Sequence, residues 1–208
     1  ATSITFAYPT KSRSAANVVA ALRAWVQFAG GTPKELRSDN AKEFTSLDVT
    51  KFLAENKVKI SRTAPYLHWE NGRIERMLRT LTRKTRIALI QSNLDHSYWS
   101  AAIVYAAKVQ NCTKGKDDLS PLERRYGKNS EKSESEKSRI RTFGSKCYAA
   151  LPEELEPKKM LRFHPKRKAA ILLGIDDNHK SYIVELQPEK TLRTTKDLWI
   201  DEETCNRE

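Results

Sequence analysis

Hydrophobic positions near the start of the chain change from strand-like to helix-like spacing. Residues 4–8 are mostly β-branched or aromatic and stop before Pro9, which predicts a strand with an exit turn. Apolar residues then recur every three or four positions over 18–29, which predicts a helix. Ser14 is a suitable N-cap for this helix, and Gly30 is a suitable stop. The chain therefore opens as a strand followed by a helix.

The same alternation continues through the first half of the chain. Residues 35–38 and 58–60 have the composition of short strands, and the apolar positions within 44–53 fit a helix between them. A loop with proline and an Asn-Gly pair leads into a long helix that begins near residue 72, and 98–109 predicts one more helix. Strands that alternate with helices indicate an α/β fold class, in which helices cover a sheet.

The second half of the chain has a different pattern. Apolar residues become scarce from 114 to 141, and the Ser, Glu and Lys run at 128–139 is typical of a mobile linker. Strand-like segments then follow one another about every ten residues, which predicts a small β-barrel. These segments are residues 146–151, 169–174, 181–186, 191–195 and 198–200. We therefore predict a first domain at 1–112, a linker at 113–142 and a β module at 143–208.

The chain is strongly basic. Its 38 lysines and arginines outnumber its 26 aspartates and glutamates, which gives a formal net charge of +12 and a pI near 9.6. This charge favours a polyanionic partner such as nucleic acid. A soluble basic domain without such a partner has the same net charge, so the positions of the charged residues have to decide between the two.

The cysteines and the hydropathy pattern argue against several other classes of protein. Cys112, Cys147 and Cys205 are far apart, the histidines are scattered, and no group of them has zinc-ligand spacing. This usage fits a reducing, intracellular compartment. The apolar stretches are far shorter than the roughly 20 residues that a membrane span requires. We therefore expect neither a zinc site within the chain nor a membrane partner.

Two carboxylates, Asp39 and Glu75, are candidate ligands of a metal-dependent site. Asp39 directly follows the predicted strand at 35–38, and Glu75 falls in the first turn of the long helix, with 35 residues between them. Phosphoryl transfer by two metal ions needs carboxylates that converge on cations about 3.5 to 4 Å apart. Hard oxygen ligands of this kind select Mg²⁺ or Mn²⁺. Taken alone, an aspartate and a glutamate are more often solvated surface charges, so their surroundings must decide.

Arginines follow Glu75 on one arc of the long helix. At about 100° per residue they lie together, on a different arc from Ile74, Met77, Leu78, Leu81, Ala88 and Leu89. The arginines are Arg76, Arg79, Arg83 and Arg86. Arginines without matching acids can bind the phosphates of DNA, and with Asn71 in the preceding loop they form the predicted DNA-binding set. The alternative is an ordinary solvated face on which Glu75 and Arg79 form a weak ion pair.

Short motifs surround both carboxylates. Residues 37–44 read RSDNAKEF, residues 64–66 read APY, and residues 71–76 read NGRIER. They resemble the R-S/T-D-N-G-x-E-F, A-P-Y and N-G-x-x-E-R motifs of copia-type integrases, which are encoded by LTR retrotransposons, a class of transposable element. The interval of 35 residues is also the family's own. Further on, residues 141–148 are similar to the start of that family's SH3-like module, so the resemblance extends over essentially the whole chain.

The resemblance implies an RNase H-like integrase core followed by an SH3-like β module. Such an enzyme binds retrotransposon cDNA ends and joins each 3′-hydroxyl to target DNA. Asp39 and Glu75 would be the second and third metal-binding carboxylates of that core, with Mg²⁺ or Mn²⁺ as the cofactor. By the same resemblance we expect a homo-multimer that acts on DNA in the nucleus.

The family's first catalytic aspartate lies on the opening strand of the core. Residues 3–8 resemble the third strand instead, and no acidic residue precedes Glu35. We therefore expect an N-terminally truncated core that lacks the first aspartate and is inactive as it stands. The alternative function is a catalytically dead DNA-binding relic, or a domesticated chromatin-tethering protein. Glu70, close to Glu75, is a decoy carboxylate whose neighbours do not match the family's catalytic position.

Overall fold

The computed structural model describes residues 2–38, 41–62, 72–150, 166–177 and 180–205. Its contacts divide the chain into two compact units. One unit consists of residues 8–80, and the other of residues 1–7 together with 81–208. Residues of helix α3 (Gly72–Ser92) fall in both units.

The unit at 8–80 begins with helix α1 (Ala15–Ala29). The Ser14 side chain accepts a hydrogen bond from the amide of Asn17 at the start of the helix. Gly30 ends it with φ of 71°, in the left-handed region that glycine adopts without strain. The predicted helix and both of its caps are confirmed.

Two parallel strands form the small sheet of this unit. Strand β1 (Glu35–Ser38) pairs with strand β2 (Lys59–Arg62), and helix α2 (Leu47–Glu55) connects them. A short 3₁₀ helix (Lys42–Thr45) precedes α2. A parallel pair requires such a crossover, so the predicted alternation of strand and helix is confirmed here. The core consists of Val49, Leu53 and Val58, packed against Val18, Val19, Leu22, Leu36, Phe52 and Ile60.

The strand predicted at 4–8 is wrong, because residues 2–10 contain no strand. The backbone of Thr5 instead forms hydrogen bonds with the side chain of Asn111. Its amide donates to Oδ1 of Asn111 and its carbonyl accepts from Nδ2 of the same residue, both at 2.8 Å. A β-branched run favours extended backbone, but it does not determine whether a strand or a side chain satisfies the backbone polar groups.

The unit that contains 81–208 joins helices to a second sheet. After α3 come a 3₁₀ turn (His96–Tyr98) and three helices. These are α4 (Trp99–Cys112), α5 (Pro121–Tyr126) and α6 (Glu131–Ser138). Among the helices of the described ranges, none is long and apolar enough to cross a lipid bilayer.

The second sheet is antiparallel and five-stranded, with the order β6-β5-β4-β3-β7. All five strands predicted from the sequence are present, within a few residues of the expected bounds. They are β3 (Ser145–Ala150), β4 (Arg167–Asp176), β5 (Ser181–Leu186), β6 (Thr191–Thr195) and β7 (Leu198–Cys205).

Strand β4 is buried on both faces, because alternate residues of a strand point to opposite sides. Ile171, Leu173 and Ile175 form one cluster with Ala102, Tyr105 and Phe143, so α4 covers that face. Ala170 and Leu172 form the other cluster with Cys147, Ala149, Val184 and Leu186. The sheet therefore has a hydrophobic core on each side of its central strand.

The expectation of a mobile segment at 128–139 is wrong over Glu131–Ser138, which form α6. Helix α5 begins with a capping box in which Ser120 and Glu123 bond each other's backbone amides. Nζ of Lys137 on α6 then contacts the buried carboxylate of Glu123 at 2.7 Å. Polar contacts thus order a stretch that has few apolar residues. The domain boundaries at 112 and 143 remain a prediction.

Candidate metal and nucleic-acid site

Strand β1 brings the chain to the first candidate carboxylate. Ser38 ends β1 opposite Arg62, the last residue of β2, so both parallel strands finish at the same edge. The carboxyl ends of parallel strands are where α/β sheets bind ligands. Asp39 is the next residue in the sequence, and it lies outside the described residues, as do Asn40 and Asn71.

Glu75 lies in the first turn of α3, as predicted, and its side chain is exposed. A carboxylate at this position interacts favourably with the partial positive charge of the helix N-terminus. The alternative ion pair with Arg79 does not form, since neither residue has an ion-pair partner within the described ranges. The Glu75 carboxylate is therefore accessible to a cation.

The approach of Asp39 to Glu75 stays a prediction, because only one of the two residues is described. Within the described part of the chain, no three His, Cys, Asp or Glu residues come close enough together to hold a metal ion.

The four predicted arginines lie along the exposed side of α3. Arg76, Arg79, Arg83 and Arg86 are all exposed. Nε of Arg76 donates to the carbonyl of Gly72 at 3.2 Å, and none of the four forms an ion pair with another described residue. Their guanidinium groups are thus available to phosphate oxygens, which they can bind through two parallel hydrogen bonds.

Sequence reasoning missed the two exposed isoleucines that follow these arginines. Ile87 and Ile90 received no distinct role from the sequence pattern, yet they are 52% and 80% exposed. Their positions relative to Arg83 and Arg86, four residues earlier in each case, were a signal available from the sequence.

Comparison with known proteins finds similarity to integrases. Residues 1–68 match the integrase core domain family, and this region includes Asp39 but ends before Glu75. The retrovirus-related Pol polyprotein from transposon TNT 1-94 of Nicotiana tabacum is 29% identical to the chain over 149 residues. That alignment covers 72% of this chain and 11% of the polyprotein, so the chain spans about a tenth of this relative's length.

A solved structure shows a related fold, and a second is reported beside it. The simian T-cell lymphotropic virus intasome, solved in complex with PP2A regulatory subunit B56 gamma, has a TM-score of 0.51 and 12% identity, covering 95% of this chain and 67% of that one. The dimeric HTLV-2 integrase catalytic core domain in complex with magnesium has a TM-score of 0.49 and 17% identity, covering 58% of this chain and 75% of that one.

The fold class is therefore that of an RNase H-like integrase core with an additional β-sheet module, as predicted. Residues 1–68 are thus similar to the integrase core domain family, and most of the chain is similar to a retrotransposon Pol polyprotein.

Proposed function

We propose that the chain belongs to a copia-type integrase, to which it contributes the second and third metal-binding carboxylates. That integrase would act in DNA integration, in a metal-dependent polynucleotidyl transfer that joins retrotransposon cDNA ends to target DNA. The observation that carries this proposal is the exposed carboxylate of Glu75, together with the place of Asp39 in the sequence. Asp39 follows the end of a parallel strand, and Glu75 is exposed in the first turn of a helix whose next turns present arginines.

Asp39 and Glu75 are the residues that would hold Mg²⁺ or Mn²⁺. Both supply hard carboxylate oxygens, and the exposed carboxylate of Glu75 is not engaged by another described residue. When bound, such ions activate the attacking oxygen and stabilise the leaving oxygen of an in-line displacement.

The arginines of α3 would hold the DNA beside these carboxylates. Arg76 and Arg79 follow Glu75 within about one turn, and Arg83 and Arg86 extend the same arc. Contacts of this kind fix the position of the DNA backbone without reading its sequence. The net charge of +12 favours the same partner. The proposal includes a homo-multimer, in line with the intasome in which the simian-virus relative was solved, and a nuclear location.

A strand-transfer assay tests the proposal. Labelled duplex ends and Mn²⁺ are incubated with the complete product of the reading frame that encodes this chain, as wild type and with D39N or E75Q. Matched controls are E43Q and E70Q, which remove carboxylates from neighbouring positions. We expect joining by the wild type and both controls, and no joining by D39N or E75Q, while all five proteins bind DNA equally.

The competing function predicts another result. A DNA-binding relic or chromatin-tethering protein would join no DNA in any form, yet would bind it with a steep salt dependence. If joining survives D39N or E75Q but is lost in E70Q, the proposed assignment of the metal site to Asp39 and Glu75 is wrong.

A further inference from the structure

The exposed side of α3 changes character between residues 83 and 90. Ile87 lies one turn beyond Arg83, and Ile90 one turn beyond Arg86, so the four side chains share one arc of the helix. This arc is opposite to Leu81, which is only 4% exposed. We call these four residues the Arg–Ile patch. All of them belong to the unit that contains 81–208.

The apolar half of the patch borders a surface depression. Ile87, Ile90, Gln91 and Asn93 line it at the end of α3. Single exposed hydrophobic residues are common on protein surfaces. Two isoleucines on successive turns beside a depression are a better candidate for a binding site than a single exposed residue, because one apolar side chain of a partner can contact both. Burying them would remove apolar surface from water, which favours binding.

The charged half of the patch narrows the choice of partner. Arg83 and Arg86 are exposed and form no ion pair within the described ranges. A ligand seated on the isoleucines would therefore meet two available guanidinium groups on the preceding turn. Carboxylates complement these groups in charge and in geometry.

A second copy of this chain fits the patch poorly. A two-fold interface formed by this small patch would bring the arginines of both copies into one contact, and like charges close together are unfavourable. Two isoleucines also present far less area than the roughly 800 Å² per partner of a standard interface. Duplex DNA accounts for the arginines only, because isoleucine offers no donor to phosphate oxygens.

We propose that the Arg–Ile patch binds a short acidic segment of another protein, with apolar residues on Ile87 and Ile90 and carboxylates on Arg83 and Arg86. A groove on a helical surface that binds an amphipathic segment is a common mode of peptide recognition. This inference does not depend on the metal site. Arg83 and Arg86 also belong to the proposed DNA-binding set, so DNA and the acidic segment would compete for these two side chains.

Selection from a phage-displayed library of short random peptides on the full chain tests the inference. Enriched sequences are synthesised with fluorescein and titrated by anisotropy. We expect them to combine Asp or Glu with apolar residues. The double variant I87S/I90S should weaken binding about tenfold, and R83Q/R86Q should weaken it and reduce its salt dependence. The control L192S alters another exposed apolar residue, on β6, and should leave the affinity unchanged.

Several results would overturn the inference. They are a failure to enrich any sequence, enrichment of neutral or basic peptides, and equal affinity for wild type and I87S/I90S. Hydrogen exchange with the peptide bound should protect residues 83–93, and protection confined to another segment contradicts the assignment. If sedimentation equilibrium detects a dimer of the wild type that I87S/I90S does not form, the patch binds a second copy of the chain. If I87S/I90S no longer binds duplex DNA, the patch is a nucleic-acid-binding surface.

Discussion

Gly144 approaches Ser92 so closely that a Cβ atom at position 144 would lie 2.2 Å from Cβ of Ser92. Ser92 is the last residue of α3 and is fully buried. Gly144 has φ of +75°, and its amide donates to the carbonyl of Leu172 on β4 at 2.9 Å. A glycine is therefore required here both by the backbone conformation and by the space available.

Replacing this glycine should destabilise the 81–208 unit strongly. G144A combines left-handed strain with a steric clash, so we expect a loss of about 3 kcal/mol in the free energy of unfolding, measured by urea denaturation. G30A is the matched control, because Gly30 has a similar φ of +71° but nothing within 4 Å of the position that an added Cβ would occupy. It should cost about 1 kcal/mol. Equal costs for the two variants would show that the contact with Ser92 is unimportant.

The ionisation of Glu123 should make the stability of the unit that contains 81–208 depend on pH. The hydrogen bond from Lys137, together with that from the amide of Ser120, lowers the pKa of Glu123 from 4.5 to about 2. A lowered pKa in the folded state means that this contribution is fully present above about pH 4.5 and is lost as the pH falls towards 2. E123Q should therefore unfold at a lower temperature than wild type at neutral pH, and the difference should shrink in acid.

Thermal unfolding followed at several pH values measures this difference. E131Q is the control, because Glu131 is an exposed carboxylate in the first turn of α6. It should leave the melting temperature nearly unchanged over the whole range. A gap between E123Q and wild type that stays constant from neutral pH to pH 2 would contradict the ionic role of Glu123.

Asn111 should be replaceable by neither alanine nor aspartate. It is 5% exposed and uses its amide both to accept from and to donate to the backbone of Thr5. N111A removes both hydrogen bonds and should cost about 2 kcal/mol in urea denaturation. N111D keeps the acceptor but sets a carboxylate against the carbonyl of Thr5, so it should cost at least as much at neutral pH. Retained protection of the Thr5 amide against hydrogen exchange in N111A would rule out this role.

The α3 arginines should contribute to DNA affinity through phosphate contacts. R79A and R83A should each weaken binding to duplexes of unrelated sequence to a similar extent, and each should reduce the slope of log K against log salt by about 1. K51A removes the same charge from an exposed position on α2 and serves as the control. If K51A changes the salt slope as much as R79A does, the effect reflects net charge alone.

Local patterns predicted most of the elements of this fold. Ser14 and Gly30 bound α1 as expected, and the five strands of the second sheet were recognisable because turn residues separate them. The errors have a common cause. The strand at 4–8 and the mobile segment at 128–139 were predicted from local composition, whereas Asn111 and Glu123 order these regions through contacts that composition does not reveal.

The candidate site was predictable to a different extent. The place of Glu75 in the first turn of a helix followed from periodicity, and the structure confirms it. The alternation of strands and helices was predicted, and the parallel pairing of β1 with β2 is what a helical connection between them allows. The exposure of Ile87 and Ile90 was not predicted, because an apolar residue in a helix is usually assigned to the buried face, although their spacing from Arg83 and Arg86 placed them on the arginine arc.

The bonds between Thr5 and Asn111 also bear on the order in which the chain folds. They join residues 106 positions apart, and closing an unstructured loop of that length costs on the order of 4 kcal/mol. Each of the two bonds returns about 1 kcal/mol net, so this contact is a poor folding nucleus. Contacts between residues that are so far apart in the sequence form slowly. Residues 2–7 should therefore dock onto α4 late, after 81–208 have assembled the surface that receives them.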